Sequence, residues 1–421
     1  MRRTESLVAL VVAALLIAVA GAPVARASQD PAPATYIVTL DGVGGDVASV
    51  ALSLLDQVGS GQVVRTYEHA LDGFAVELAP ALAPVLGALP GVVSIERDTV
   101  VTLSGTQPGA PYGLDRIDQR SLPLSGSYEY QATGAGVTAY IIDTGIRGSH
   151  SQFAGRVRPG TNTVDGSSPA QDCNGHGTHV AGTVGGSTYG VAKSVSLVAV
   201  RVFGCGDSTT TAAIIDGVDW VVGDHQSGQP AVANMSLGGG SSAALDAAVR
   251  AMIADGVTTA VASGNESTNG CSGSPAGVAQ AITTGATDSS DRRASFSNFG
   301  TCVDVHAPGV GIVSASPTSD TATASLSGTS MATPHVAGAA AVYLADHPSA
   351  SPAAVHAAIV DNATPGVVSG IKTSCSFLDN LTGSCMAGTP NRLLYTGTAP
   401  VPPTPPPPAS CSGLAALLGQ C

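Results

Sequence analysis

The chain has 421 residues, enough to bury a sizeable core and to form more than one folding unit. Charged residues make up 11% and aromatic residues 4%, with small residues abundant; this balance argues for a compact α/β protein and against disorder, which needs high charge and low hydrophobicity. The formal charge of −13 comes with no basic stripe, which excludes the electrostatic footprint of nucleic-acid binding.

At the N-terminus, Arg2 and Arg3 precede the apolar run Leu7 to Ala20, and Ala25-Arg26-Ala27 fits a small-residue cleavage site. The pattern predicts a signal peptide over residues 1–27 and a secreted, extracellular protein. No other run reaches membrane-spanning length, so no membrane span is expected in the mature form.

Residues 28–105 then read as a small unit of their own. "TYIVTLDG" alternates like a strand, and Val47 to Val58 has helical spacing. "QVVRTYEHA" and "FAVELA" read as strands, Pro80 to Leu89 as a helix with proline near its start, and "GVVSIERD" as a last strand. Strand, helix, strand, strand, helix, strand is a split-βαβ, ferredoxin-like α+β arrangement. This stretch contains no cysteine.

A loop is expected from Leu103 to Gly113. Over residues 106–398, apolar β-branched runs ("GVTAYIID", "VSLVAVRVF", "AVANMSL", "VTTAVASGN") alternate with helical patterns ("AAIIDGVDWVVGDH", "AALDAAVRAMIADG"). That alternation predicts a parallel sheet with helices on both faces. Residues 399–410 form a proline-rich linker, and residues 411–421 a short tail bounded by Cys411 and Cys421.

Ligands of open α/β sheets bind at the carboxyl ends of strands, so polar residues that end apolar runs are the candidates. Asp143 ends "AYIID", His176 lies in "DCNGHGTHVAGT", Asn265 follows "VASG", and Ser330 opens the alanine-rich segment of "LSGTSMATPHVAG". Each has a plainer reading: a turn or capping aspartate, a core histidine, a turn asparagine, a helix-capping serine. His176 and His179 have i, i+3 spacing but no His-Glu-x-x-His context and no third ligand, so zinc is not expected.

Together, an aspartate that orients a histidine, a histidine that takes a serine proton, and a serine that attacks a carbonyl form one machine. The chain order Asp143, His176, Ser330 is that of subtilisin. Position 332 is alanine, so the serine is not in a G-x-S-x-G elbow, which argues against an α/β-hydrolase esterase. Pro334 should fall in the first turn of the helix, where a missing N–H costs little.

The words "DTGI", "NGHGTHVAG" and "GTSMATPHVAG" resemble those of the subtilisin-like serine proteases, on the proteinase K branch and near its aqualysin-type enzymes. "GLDRIDQRSLPLSGSYEY" and "RASFSNFG" strengthen the likeness, which covers roughly Tyr112 to Thr398. The preceding small unit resembles the inhibitory propeptide of that family. The resemblance implies a secreted serine endopeptidase made as a self-processing zymogen. It also implies polypeptide substrates, the chain's own propeptide as inhibitor, and a monomer. A catalytically silent binding protein on the same scaffold is the alternative from another class; an esterase using the same triad is a second.

By the same resemblance, Asn265 donates to the oxyanion together with the N–H of Ser330. Asn265-Glu266-Ser267 also fits a glycosylation sequon, which the shelter required of an oxyanion residue disfavours. Ser236, Leu237 and Gly238 in "MSLGG", and the loop Asp207, Ser208 and Thr209, match the two strands that flank substrate. The loop departs from the Gly-Ser-Gly that relatives often carry. Ala262, Ser263 and Gly264 match one wall of the specificity pocket; no acid is evident in it, so apolar P1 residues with broad tolerance are expected.

Eight cysteines allow 105 pairings by sequence alone. The resemblance implies Cys173 with Cys205 and Cys271 with Cys302, which leaves Cys375 with Cys385 and Cys411 with Cys421. It also implies structural calcium, at Asp304 with the carbonyls of Ala279 and Ala281, and at a second site drawn from Asp115, Asp118 and Gln119.

Overall fold

The computed structural model describes residues 33–42, 46–98, 105–371 and 386–398. The signal peptide, the proline-rich linker, the C-terminal tail and the cysteines Cys375, Cys385, Cys411 and Cys421 lie outside the described residues. The chain divides into two compact units, residues 1–101 and 102–421.

In the first unit the predicted order is observed: β1 (Ala34–Leu40), α1 (Val47–Val58), β2 (Gln62–Tyr67), β3 (Gly73–Leu78), α2 (Ala83–Gly87) and β4 (Val92–Arg97). Asp46 caps α1 by accepting from the Ser49 N–H at 3.1 Å. The strands form an antiparallel sheet in the order β2-β3-β1-β4. Val38, Phe74, Val76 and Leu78 of the sheet bury against Val47, Ala51, Leu54 and Leu55 of α1 and Leu86 of α2. The helix expected from Pro80 begins instead as a 3-10 turn, Pro80–Leu82, before α2.

The second unit starts with β5 (Gly105–Pro108), α3 (Tyr112–Ile117) and β6 (Ser127–Tyr130). The loop expected from Leu103 is therefore corrected: β5 pairs antiparallel with β6. Apart from Thr106, its residues Gly105, Gln107 and Pro108 give little strand signal, so the pairing comes from the partner strand. There follow β7 (Thr138–Asp143), β8 (Val157–Asn162), α4 (His176–Gly185), β9 (Ser196–Arg201), α5 (Thr211–Asp224), β10 (Ala231–Met235), α6 (Ala243–Ala254) and β11 (Val257–Ala262). The unit continues with β12 (Ile282–Thr287), β13 (Val305–Pro308), β14 (Ile312–Ala315), β15 (Thr323–Leu326), α7 (Thr329–Asp346), α8 (Pro352–Asn362), β16 (Thr364–Pro365) and β17 (Arg392–Leu393).

Nine strands make the main sheet in the order β16-β17-β13-β12-β11-β10-β7-β9-β8. Every pair is parallel except β16 with β17. The central strands β10 and β11 are buried along their whole length, as two covered faces require. On one face Ile141, Leu197, Val232 and Ile282 pack against Val180 and Val184 of α4 and Val336 and Ala340 of α7. On the other, Ile142, Val198, Ala233 and Val261 meet Val218 and Val221 of α5 and Val249 and Met252 of α6. Thr210, Ser242 and Ser351 cap α5, α6 and α8 through their side-chain oxygens.

The sheet brings the carboxyl ends of β7, β10 and β11 side by side, because β10 lies between the other two. Asp143 is the last residue of β7, Ser236 follows β10, and Asn265 lies just past β11.

Candidate active site

Asp143 is buried, and its carboxylate accepts from His176 Nδ1 at 2.8 and 3.0 Å and from the Thr144 N–H at 2.8 Å. Both partners of Nδ1 are acceptors, so Nδ1 carries the proton and Nε2 keeps its lone pair. Asp172 holds the loop before α4: it accepts from Thr144 Oγ1, from the N–H groups of Asn174, Gly175 and Thr178, and from Thr178 Oγ1. Gly177 lets this helix come in close. A Cβ there would lie 2.2 Å from the Gly145 carbonyl oxygen, whereas its N–H donates to Thr144 Oγ1 at 2.8 Å.

Burial alone would lower the His176 pKa. The charge and hydrogen bond of Asp143, joined by the charges of Asp172 and Asp207, outweigh burial and hold it above the ordinary 6.5. His179 is not its metal partner: it is buried, with Nε2 facing the carbonyls of Ile312 and Ala324 at 3.0 and 3.2 Å, and burial pushes its pKa down to about 4.

Ser330 is the second residue of α7, and a cavity of about 350 Å³ is lined by Ser330, His176, Asp143 and Asn265 together. The Ser330 hydroxyl donates to the Ser236 carbonyl at 3.1 Å; among the described residues no hydrogen bond joins it to His176. Catalytic hydrogen bonds often tighten only when substrate arrives.

Pro334 is the sixth residue of α7, beyond the free donors of the first turn, which corrects its expected place. Its missing N–H would have bonded to the Ser330 carbonyl, four residues back. The Ser236 hydroxyl fills that gap, donating to the Ser330 carbonyl at 2.8 Å.

The Asn265 Oδ1 accepts from the Thr329 N–H at 2.8 Å and from Thr329 Oγ1 at 2.9 Å. A backbone N–H donates only to the oxygen of an amide, so the orientation is fixed and Nδ2 is left as the donor. The expected shelter is absent: Asn265 is exposed, and Thr329 rather than burial orients it.

Ala262, Ser263, Gly264, Leu237, Gly238 and Ser330 line a pocket of about 530 Å³. Glu266 and Asn298, missed in the sequence, line it too. Asn298 accepts from the N–H groups of Glu266 and Thr268, and its Nδ2 donates to the Ser263 carbonyl at 2.9 Å and to Glu266 Oε2 at 2.7 Å. Gly264 has φ +99°, and a Cβ on it would meet the Asn298 amide at 2.3 Å. The reading of the wall as free of acid holds for residues 262–264 but not for the pocket. Asn298 lies in the quoted "SFSNFG", and Asp172 in "DCNGHG", so both were visible as polar residues without a role.

Ser208 and Thr209 line a neighbouring cavity of about 240 Å³ with Leu237, Gly238, Ile214 and Leu245. Asp207 lines both this cavity and the one that holds Ser330 and His176. Ser236 borders the latter through its contacts with Ser330.

Cys173 is bonded to Cys205, and Cys271 to Cys302. Among the described residues no group of three or more His, Cys, Asp or Glu side chains is arranged to hold a metal. The oxygen sets named above fit calcium unequally. Asp118 Oδ1 is buried with no partner, and burial first, then the neighbouring charges of Asp115 and Glu129, pushes its pKa up to about 6. A cation would satisfy that oxygen. Asp115 is already engaged by Ser125 and Gly126, and Gln119 Oε1 by the Ser125 N–H. Asp304 accepts from the Thr283 N–H at 2.8 Å and faces His356 Nε2 at 3.5 Å, so a cation there would share its carboxylate with a histidine.

Residues 134–378 match the model of the subtilase family, and residues 35–104 that of the peptidase inhibitor I9 family. The chain is 52% identical over 335 residues to an extracellular serine proteinase of Thermus sp. (strain Rt41A), covering 80% of this chain and 78% of that one. It is 47% identical over 343 residues to an alkaline serine exoprotease A of Vibrio alginolyticus, covering 80% of this chain and 61% of that one. A solved cold-adapted subtilisin-like serine proteinase superposes with a TM-score of 0.64 at 48% identity, over 69% of this chain and 100% of that one.

Proposed function

The chain belongs to the subtilase family of serine proteases, and from that premise we propose that it is a secreted endopeptidase that works by acyl transfer through Ser330. The observation that carries this reading is the Asp143–His176 pair, 2.8 Å apart, in one cavity with Ser330 and Asn265. His176 Nε2 takes the Ser330 proton as Oγ attacks the peptide carbonyl. Asp143 keeps Nδ1 protonated and stabilises the imidazolium that forms. Negative charge on the former carbonyl oxygen meets the Asn265 Nδ2 and the N–H of Ser330, which has no intrahelical partner at the start of α7. His176 returns its proton to the leaving amine; water then repeats the sequence on the acyl-enzyme.

Residues 28–105 are the propeptide in this reading, and the mature N-terminus lies near Thr102 to Gln107. The I9 match and the likeness to an extracellular proteinase support both inhibition by the propeptide and export. Among the described residues, no helix is long and apolar enough to cross a membrane. The P1 pocket takes a range of uncharged side chains, while Glu266 disfavours acidic ones. Calcium would be held by Asp118, with Asp115 and Gln119 beside it, and at Asp304 with the carbonyls of Ala279 and Ala281. It stabilises the native state by binding it alone and has no part in the chemistry.

Labelling by a fluorophosphonate probe tests the reading. The secreted protein is expected to be labelled at Ser330 alone, and Ser330→Ala to accumulate as an unprocessed precursor. Absence of labelling, with casein left intact, would instead favour a silent binding protein.

A further inference from the structure

Asp207 places an uncompensated charge beside the nucleophile. It is exposed and lines the cavity that holds His176 and Ser330. Its Oδ1 accepts from the neutral Asn174 Nδ2 at 2.8 Å, and among the described residues no cation pairs with it. The other carboxylate in that cavity, Asp143, is buried and engaged by His176 and Thr144.

The Asp207 loop is held in place. Cys173, directly before Asn174, is bonded to Cys205, two residues before Asp207, and Asn174 Nδ2 also reaches the Cys205 carbonyl at 3.4 Å. The His176 ring feels the Asp207 charge, which agrees with their sharing one cavity.

An extended peptide sends successive side chains to opposite sides. With the scissile carbonyl at Ser330 and the P1 side chain in the 530 Å³ pocket, the preceding side chain turns the other way, toward His176, Phe203 and Asp207. Phe203 and Leu237 offer apolar surface for the stem of a long side chain, and Asp207 faces its charged head.

We propose that Asp207 selects substrates with lysine or arginine at P2, immediately before the P1 residue. This rests on the peptidase reading given above. The charge pairs at an exposed site, so its effect is a moderate preference that weakens with salt.

The test uses the processed, secreted enzyme and three chromogenic peptides that differ only at P2, as Lys, Ala or Glu. The expected order of kcat/KM is Lys, then Ala, then Glu, with steps of roughly fivefold that shrink as ionic strength rises. Asp207→Asn is expected to bring the Lys-to-Glu ratio near one, and Asp207→Lys to reverse it. If Asp207 served only to hold Asn174, its loss would slow all three peptides equally and leave the ratio standing, which would overturn the proposal. So would a wild-type enzyme indifferent to P2. The salt dependence of the wild-type ratio reads the same contact without any variant. If no peptide is cleaved and Ser330 resists the fluorophosphonate, the peptidase reading falls and this inference with it.

Discussion

Ser236 and Ser330 exchange hydrogen bonds: the Ser330 hydroxyl donates to the Ser236 carbonyl, and the Ser236 hydroxyl donates to the Ser330 carbonyl that Pro334 leaves free. Ser330 is thus tied to the end of β10 from both its side chain and its main chain. Ser236→Ala removes one donor and leaves a carbonyl without its partner, which costs about 1 kcal/mol or somewhat more. The fluorophosphonate-blocked variant should melt roughly 2–4 °C lower than the blocked parent. Ser236→Thr, which keeps the hydroxyl, should recover most of the loss. An unchanged melting temperature for the alanine variant would show that the contact contributes nothing.

The pH profile follows from His176. Its pKa lies above 6.5 against the pull of burial, because of Asp143 first and then Asp172 and Asp207. General-base action needs the neutral ring, so kcat/KM should fall as pH drops through that raised value. The midpoint of the acid limb therefore lies above 6.5. Removing the Asp207 charge in Asp207→Asn should move that midpoint down. A limb that stays in place would show that Asp207 does not act on the base.

In the proposed reading Glu266 should repel acidic P1 residues, since it lines the 530 Å³ pocket beside Ser330. In Glu266→Gln, kcat/KM for a peptide with Glu at P1 should rise roughly fivefold relative to its Gln counterpart at low salt. An unchanged ratio would mean that the carboxylate is too solvated to reach the P1 side chain.

Chelation should expose the calcium contribution. With the ion at a hundred times its dissociation constant, binding is worth about 2.7 kcal/mol to the native state. EDTA should therefore lower the melting temperature by several degrees, reversibly on adding calcium. Asp118→Asn should remove a large part of that difference by replacing the carboxylate whose buried oxygen lacks a partner. If EDTA has no effect on the parent, both proposed sites are wrong.

The fold was legible where a strand is covered on both faces. β10 and β11 are short apolar runs because every side chain is buried, and sequence marks them plainly. β8, "VRPGTN", was invisible: it is an edge strand with a register shift between Arg158 and Thr161, where proline and glycine are tolerated. β5 was read as loop because its pairing depends on Ser127–Tyr130, some twenty positions later.

At the site, Asp143, His176, Asn265 and Ser330 stood out because each interrupts an apolar or small-residue run. Glu266 did not, since nothing in its neighbours reveals that Asn298, 32 positions on, turns its carboxylate into the pocket wall. The Ser236 partnership was likewise hidden, because it spans 94 positions and answers a gap that only the helix register of Pro334 creates.

Gly177 carries a consequence for how this enzyme can change. At Gly177 the helix that bears His176 comes against the Gly145 carbonyl, where a Cβ would lie 2.2 Å away, and its N–H donates to the Thr144 hydroxyl next to Asp143. The spacing of Asp143 and His176 is therefore set within two residues of the pair, by a close main-chain approach and by the Thr144 hydroxyl that Asp172 holds. Core substitutions that leave this local contact intact should change stability more than they change the Asp143–His176 distance. Adaptation to heat or cold and adaptation to new substrates are thus open to this scaffold as separate problems.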